Sequence, residues 1–125
     1  VIETNISKPF LRGYFHQAMF FVSVGALAIL LSLTNNKLEF ISTLVYSAGV
    51  LCMFGISALY HRVNWSPEKR QLLRKFDHCA IYIMIAGTFT PISVLGLPSA
   101  SCKFLLWTIW IITLFGVIKS IWLTN

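Results

Sequence analysis

The chain has 125 residues, of which 57% are hydrophobic and 11% are charged, and its formal net charge is +6. Its mean hydropathy is +0.76. This composition excludes an ordinary soluble domain, in which about 25% of residues are charged, and it indicates a protein whose solvent is the lipid bilayer.

The apolar residues are gathered into four blocks. A helix of about 20 residues crosses the roughly 30 Å of hydrocarbon in a bilayer, and each block is long enough to do so. We therefore expect an all-α membrane protein with a single membrane domain over residues 1–125. The predicted elements are an arm at 1–13, spans at about 14–34 and 40–60, a connection at 61–76, and spans at about 77–97 and 104–123.

Basic residues lie mostly on one side of this topology, whereas the other side carries only Lys37 and Lys103. Because cytoplasmic loops carry the excess of Lys and Arg, we expect a multi-pass protein of the cell membrane with a cytoplasmic amino terminus. Anionic lipid head groups are the expected partners of these charges, and no nucleic-acid partner is expected. The basic residues on the cytoplasmic side are Lys8, Arg12, Arg62, Lys69, Arg70, Arg74, Lys75 and Lys119.

The connection between the second and third spans contains the start signal of a helix. Ser66 is a residue type favoured at the N-cap, and Pro67 is favoured at the first helical position. Glu68 would lie in the first turn, where the helix dipole favours negative charge. Apolar residues at helical spacing then alternate with basic ones. These features predict an amphipathic segment that continues directly into the third span.

Polar side chains meet at the end of the second span. Ser57 and His61 are four residues apart, so they lie on the same face of a helix. Asp77 begins the third span, and the short connection brings it to the same membrane depth. His16 lies at that depth too, but we expect it, like His78, to be an interfacial residue. Since polar groups in hydrocarbon are costly, the set Ser57, His61 and Asp77 is the candidate site.

These residue types suit a zinc site. A neutral imidazole is a good zinc ligand, and a nearby carboxylate can orient it, bind the metal or act through a bound water. His61 and Asp77, with Ser57 as a hydrogen-bonding partner of that water, form an incomplete ligand set, since catalytic zinc takes three protein ligands. The alternatives are that His61 caps its helix, that Asp77 pairs with Arg74 or Lys75, and that Ser57 bonds to its own helix.

Several stretches of the chain resemble the hemolysin III family, which is similar to the progestin and adipoQ receptors and to the alkaline ceramidases. The stretches are SALYHR at 57–62, Trp65, LRKFDHCAIY at 73–82 and AGTFTP at 86–91, and KPFLRGYFH at 8–16 resembles the opening of actinobacterial members. The resemblance implies a seven-helix bundle with a cytoplasmic amino terminus. It also implies that His61 is a zinc ligand and that Ser57 and Asp77 hold a zinc-bound water. The implied activities are amide or lipid hydrolysis and cytolysis.

The chain departs from this family in length and in one motif. Family members have seven spans, and the last carries a His-x-x-x-His pair that supplies the other two zinc ligands; neither that motif nor a fifth span occurs here. The chain also begins with Val1. We therefore expect an incomplete copy, either a fragment, a truncated product, or one completed by a partner, with self-association as one such route. A membrane-permeabilising protein and a non-catalytic remnant are the alternatives to an enzyme.

Overall fold

Four long helices make up most of residues 11–123, which are the residues that the computed structural model describes. They contain 19, 26, 30 and 24 residues, so even the shortest extends ~28 Å. All four are long and apolar enough to span a membrane, and the described range contains no strand. The predicted all-α membrane fold is confirmed. The helices are α1 (Tyr14–Ser32), α2 (Lys37–Arg62), α3 (Pro67–Gly96) and α4 (Ser99–Trp122).

A reciprocal set of hydrogen bonds closes the turn between α1 and α2. The side chain of Asn36 accepts a hydrogen bond from the backbone amide of Glu39 at 3.0 Å, and the Glu39 carboxylate accepts one from the amide of Asn35 at 2.7 Å. Such a capping pattern satisfies amides that have no partner at the start of a helix. Because this cap lies in the turn, α2 begins at Lys37, ahead of the predicted position 40.

The connection between α2 and α3 follows the predicted start signal. Ser66 occupies the N-cap position, α3 begins at Pro67, and Glu68 lies in its first turn. The Ser66 side chain makes no capping hydrogen bond, so the fixed φ of Pro67 is the feature that sets this start. The amphipathic segment and the third predicted span form one helix. Residues 1–10 of the predicted arm, including Lys8, lie outside the described residues.

The helices pack in the order in which they occur in the chain. Contacts join α1 to α2, α2 to α3 and α3 to α4, and within residues 11–123 no other pair of helices is in contact. The central pair, α2 and α3, is the most buried, while most of α1 and α4 remains exposed along the edges. The described part of the chain is therefore an open row of helices with broad apolar faces.

Small residues allow the close approach of α2 and α3. A Cβ atom on Gly49 would lie 3.2 Å from the Met84 Cα, and one on Gly87 would lie 3.2 Å from the Val45 carbonyl oxygen. The two backbones are therefore in direct contact, which is how helices pack when lipid removes the hydrophobic drive. The buried residues of the row are correspondingly small. They include Ser42, Ser47, Ser57, Ala58, Cys79, Ala80, Ala86, Gly87, Ser93 and Gly116.

Buried hydroxyl groups along the row bond mainly to the backbone of their own helix. Ser47 donates to the carbonyl of Thr43 at 2.8 Å, and Ser93 donates to that of Phe89 at 2.7 Å. This local bonding satisfies a polar group in hydrocarbon without any partner from another helix. Ser47 and Ser93 therefore help the helices to pack closely because their side chains are small, and they form no hydrogen bond between helices.

Candidate functional site

The ends of α2 and α4 and the starts of α1 and α3 lie at the same end of the row. The Trp65 indole donates a hydrogen bond to the Leu59 carbonyl at 2.9 Å, which folds the connection back onto the end of α2. The Lys75 ammonium donates to the Ile121 carbonyl at 2.8 Å and thereby joins the start of α3 to the end of α4. All the residues of the predicted site lie at this end.

Gly13 fits the start of α1 against the end of α2. Its φ of 81° is in the left-handed region, and a Cβ atom added to it would lie 2.8 Å from the Cβ of His61 and 3.0 Å from the Cγ of Arg62. Only glycine combines this backbone conformation with so close an approach. The contact at Gly13 brings the first turn of α1 to the helix that carries Ser57 and His61.

A hydrogen bond joins Ser57 on α2 to His16 on α1. The Ser57 Oγ and the His16 Nδ1 are 2.6 Å apart, and Ser57 is 4% exposed. The ring of Phe54 packs edge-on against the imidazole, with 5.9 Å between centroids. Ser57 therefore bonds across the helix interface, unlike Ser47 and Ser93, and His16, which we expected to be an interfacial residue, contacts a residue of the candidate site.

His61 lies beside this pair and bonds to Arg12. The Arg12 Nε donates to the His61 Nδ1 at 3.1 Å, and the ring centroids of His61 and His16 are 6.2 Å apart at a right angle. The ring centroid of Tyr60 is 4.8 Å from that of His61, with the two planes tilted. His61 is thus held between two rings and a guanidinium group.

Asp77 approaches His61 from α3, ten residues after that helix begins at Pro67. Its carboxylate is near enough for its charge to act on the His61 imidazole, as are the charges of Arg12 and Arg70. Lys75, one of its predicted partners, instead bonds to the Ile121 carbonyl. The structure therefore brings Ser57, His61 and Asp77 to one end of the row, with His16 and Arg12 added to them. No hydrogen bond joins Asp77 to His61 or to Ser57 within the described residues.

The hydrogen bond from Arg12 determines which nitrogen of His61 carries a proton. Because the Arg12 N–H donates to Nδ1, Nδ1 is unprotonated, and a neutral ring then carries its proton on Nε2. A metal-ligating imidazole binds the metal through one nitrogen and donates a hydrogen bond from the other. His61 can therefore bind a metal through either nitrogen only after Arg12 leaves Nδ1.

The described residues do not complete a zinc site on their own. Imidazole and carboxylate groups are ligands that zinc accepts, and His61 and Asp77 supply one of each. Within residues 11–123, however, no group of three or more His, Cys, Asp or Glu side chains is placed to hold a metal ion.

His16 and Arg12 are the site residues that sequence reasoning missed. Their place depends on how α1 is rotated about its own axis, and α1 is apolar on all faces, so its sequence does not show which face meets α2. One signal was present: Gly13, at the end of the arm, lies next to Arg12 and three residues before His16. A glycine that allows close approach indicates which turn of the helix makes the contact.

Two further arginines at this end lie over aromatic rings. The guanidinium carbon of Arg62 is 3.7 Å from the centroid of the Tyr14 ring, and that of Arg70 is 5.7 Å from the centroid of the Tyr60 ring. A guanidinium group stacked on a ring retains N–H donors at its edge. The site end of the row is therefore rich in positive charge as well as in imidazole groups.

Comparisons with known proteins give the family of the chain. The model of a family described as "Haemolysin-III related" matches residues 4–125. "Hemolysin-3" of Bacillus cereus is 31% identical over 103 residues, which are 80% of this chain and 47% of that protein. "Hemolysin-3 homolog" of Bacillus subtilis (strain 168) is 28% identical over 120 residues, covering 94% of this chain and 56% of that protein.

A human protein is similar to the chain at about the same level. "Monocyte to macrophage differentiation factor" of Homo sapiens is 27% identical over 112 residues, covering 84% of this chain and 46% of that protein. No solved structure matches the chain. The chain spans about half the length of the curated relatives that it matches. Because the family model covers nearly all of its residues, the chain belongs to the Haemolysin-III related family.

Proposed function

We propose that the chain forms part of a zinc-dependent hydrolase site in the membrane, which acts on an amide or lipid substrate. The observation that supports this most strongly is the hydrogen bond between Ser57 and His16 beside His61. In the centre of the row, Ser47 and Ser93 satisfy their hydroxyl groups locally, but here a serine bonds across two helices to a titratable group. Polar groups that are linked in this way within a membrane are typical of functional sites.

Each residue of the site has a distinct role in this proposal. His61 and Asp77 supply one imidazole and one carboxylate to the metal. His16 orients the Ser57 hydroxyl, which acts as a hydrogen-bonding partner of water. Arg12 holds His61 through Nδ1 until a metal is bound. Zinc supplies Lewis-acid activation of water near neutral pH when it is bound.

The remaining ligands must come from groups other than the described residues. A second copy of the chain is one source, and the further sequence of a longer protein is another, since the chain matches only about half of its relatives' length. The open row of helices leaves α1 and α4 available for such packing. Either source would add helices beside the site without displacing those already in contact.

We also propose that the site faces the cytoplasm of a cell-membrane protein. Within the described residues, Arg12, Arg62 and the basic residues at 69–75 lie at the site end, while Lys37 and Lys103 lie at the other. The excess of positive charge marks the cytoplasmic side of a multi-pass protein. Anionic lipid head groups would then neutralise this end of the row.

Zinc content in the purified protein tests the proposal. Wild-type protein is compared with His61→Ala and with His78→Ala, a matched control because His78 lies near the same depth but faces a cavity beside Lys119 and Ser120 on α4. We expect wild type and His78→Ala to retain zinc and His61→Ala to lose it. Equal zinc in wild type and His61→Ala would reject His61 as a ligand, and no zinc in any of them would reject the site for this chain.

Leakage of a trapped dye from liposomes separates this proposal from membrane permeabilisation. Relatives carry the name "Hemolysin-3", and the row exposes broad apolar faces. Permeabilisation by these faces would survive Ser57→Ala, His61→Ala and Asp77→Asn together, whereas hydrolysis of a fluorescent amide lipid would be abolished. Leakage that survives the triple substitution without any hydrolysis by the wild type would favour the permeabilising function.

A further inference from the structure

A groove runs between α1 and α2 on a different face from the Ser57–His16 pair. Its volume is about 410 Å³, and its walls are mainly apolar, with Phe20 and Phe21 on α1 and Gly55 and Leu59 on α2. Phe21 and Leu59 are 64% and 51% exposed, so the groove opens toward the surroundings of the row. In a membrane, those surroundings are acyl chains.

Because Gly55 has no side chain, the groove is deep at the end that lies farther from Arg62. A Cβ atom at this position would lie 3.2 Å from the Phe20 ring, so any side chain there would enter the groove or displace that ring. The neighbour of Gly55 is therefore an aromatic ring and not another helix backbone. The space beside Gly55 is thus bounded by a ring on one side and open on the other.

The other end of the groove is polar and lies at the membrane interface. Gln17 and Arg62 line it, and Arg62 is about two helical turns, ~10 Å, from Gly55 along α2. The Arg62 guanidinium stacks on Tyr14, and within residues 11–123 it pairs with no carboxylate. Its edge N–H groups are therefore able to bind a phosphate group in the planar, two-point manner that arginine favours.

We propose that this groove binds one anionic phospholipid, whose acyl chain lies along Phe20, Phe21 and Leu59 and whose phosphate contacts Arg62. The arrangement matches the polarity of the molecule: the apolar walls of the groove end at a cation that pairs with no carboxylate of the described residues. This site is separate from the residues proposed to bind zinc. It does not depend on the proposed hydrolase activity.

The net negative charge of the head group is the feature that selects this ligand over a neutral lipid. Phosphatidylcholine carries the same phosphate, but its quaternary ammonium group neutralises that charge and is repelled by the positive end of the row. Arg62, with Arg70 and Arg74 nearby at the same end, raises the local concentration of anionic lipids. The groove then holds one such lipid in a fixed position.

Native mass spectrometry of the purified chain in detergent tests the head-group contact. The retention of dioleoylphosphatidylglycerol is compared with that of dioleoylphosphatidylcholine, which has the same acyl chains. Arg62→Gln should weaken the binding of phosphatidylglycerol about fivefold and that of phosphatidylcholine less, because the choline ammonium offsets the attraction of the positive end for the head group. Lys69→Gln removes the same charge from an exposed residue at the same end and should have less than a twofold effect. Equal losses in the two variants would assign the preference to the general positive field and overturn the site.

A pair of glycine substitutions tests the acyl-chain contact. Gly55→Leu fills the groove and should lower the retention of phosphatidylglycerol at least about fivefold. Gly25→Leu, on α1 where nothing lies within 4 Å, is the matched control and should bind as wild type does. Helical content and monodispersity identify misfolded protein, and Arg62→Gln tests the site without altering the packing. Unchanged retention in a folded Gly55→Leu protein would contradict the proposal.

Discussion

At the crossing of Gly49 and Gly87, α2 and α3 meet through bare backbone, whereas at the end of α2 the same helix meets α1 through side chains. The crossing has Cβ clearances of 3.2 Å, and the serine nearest to it, Ser47, bonds to its own helix. At the other contact, Ser57 bonds to His16 and His61 bonds to Arg12. Both contacts involve α2, but backbone packing forms the contact with α3 and side-chain hydrogen bonds form the contact with α1.

This difference separates a permanent contact from an adjustable one. Backbone packing has no alternative partner, because the surfaces are complementary only to each other and water is absent. A hydrogen bond between titratable side chains can be exchanged for a bond to a ligand at comparable cost. The centre of the row therefore serves as the scaffold, and the site end is the part in which the metal, substrate or lipid that we propose would replace existing contacts.

The scaffold is where a substitution should have the largest effect. Gly87→Leu places a side chain where the Val45 carbonyl oxygen lies 3.2 Å from a Cβ, so the helices must separate. We expect a loss of about 3 kcal/mol in the free energy of unfolding, measured by SDS titration in mixed micelles. At Gly25 an added Cβ would meet no atom within 4 Å, so Gly25→Leu should change the free energy of unfolding by less than about 0.5 kcal/mol. Equal stability of the two variants would show that the crossing is not tightly packed.

At the site end, the clearest exchange is between Arg12 and a metal at His61. Arg12→Gln removes the donor that occupies Nδ1, so we expect the affinity for zinc to rise about tenfold, which is 1.4 kcal/mol. Competition with a fluorescent zinc chelator measures this affinity. Arg70→Gln removes a charge that also acts on His61 but donates no hydrogen bond to it, and it should raise the affinity less. An unchanged or lower affinity in Arg12→Gln would contradict the competition.

The sequence was sufficient to predict the helices because its signals are local. Four apolar blocks predicted four spanning helices, and Ser66, Pro67 and Glu68 predicted where α3 begins. The common face of Ser57 and His61 follows from helical spacing along one element. Each of these inferences depends on residues that are close together in the chain, for which backbone geometry alone sets the outcome.

The contacts between α1 and α2 could not be predicted in the same way. The bond from His16 to Ser57 joins residues that are 41 positions apart, and that from Arg12 to His61 joins residues 49 apart. Their formation depends on the rotation of α1, which a uniformly apolar helix does not encode in its own pattern. The same holds for the Phe20 ring beside Gly55, where shape complementarity decides the neighbour.

A pair of serines sharpens the comparison of the two regions. Ser57→Ala leaves the half-buried Nδ1 of His16 without its partner and should cost about 1 kcal/mol of stability in mixed micelles. Ser47→Ala removes only a bond to the Thr43 carbonyl, which already accepts a bond in the helix, and should cost less than about 0.5 kcal/mol. An equal loss of stability in the two variants would mean that the hydrogen bond between Ser57 and His16 stabilises the protein no more than a bond within one helix does.

The smallest expected effect lies at the edge of the row, where Lys75 links α3 to α4. Lys75→Met removes the ammonium that donates to the Ile121 carbonyl near the end of α4, and we expect a loss of about 0.5 kcal/mol. The control is Lys69→Met, which removes a charge from the first turn of α3, where the dipole disfavours a cation, and should not destabilise the protein.

Hydrogen exchange at the end of α4 locates this effect. Amides near Ile121 should exchange faster in Lys75→Met, while those at the Gly49–Gly87 crossing should keep their wild-type rates, because α4 contacts only α3 within the described chain. Faster exchange at the crossing as well would mean that the edge and the centre open together. In that case the side-chain bonds at this end would belong to the scaffold, and the distinction between the two regions would fail.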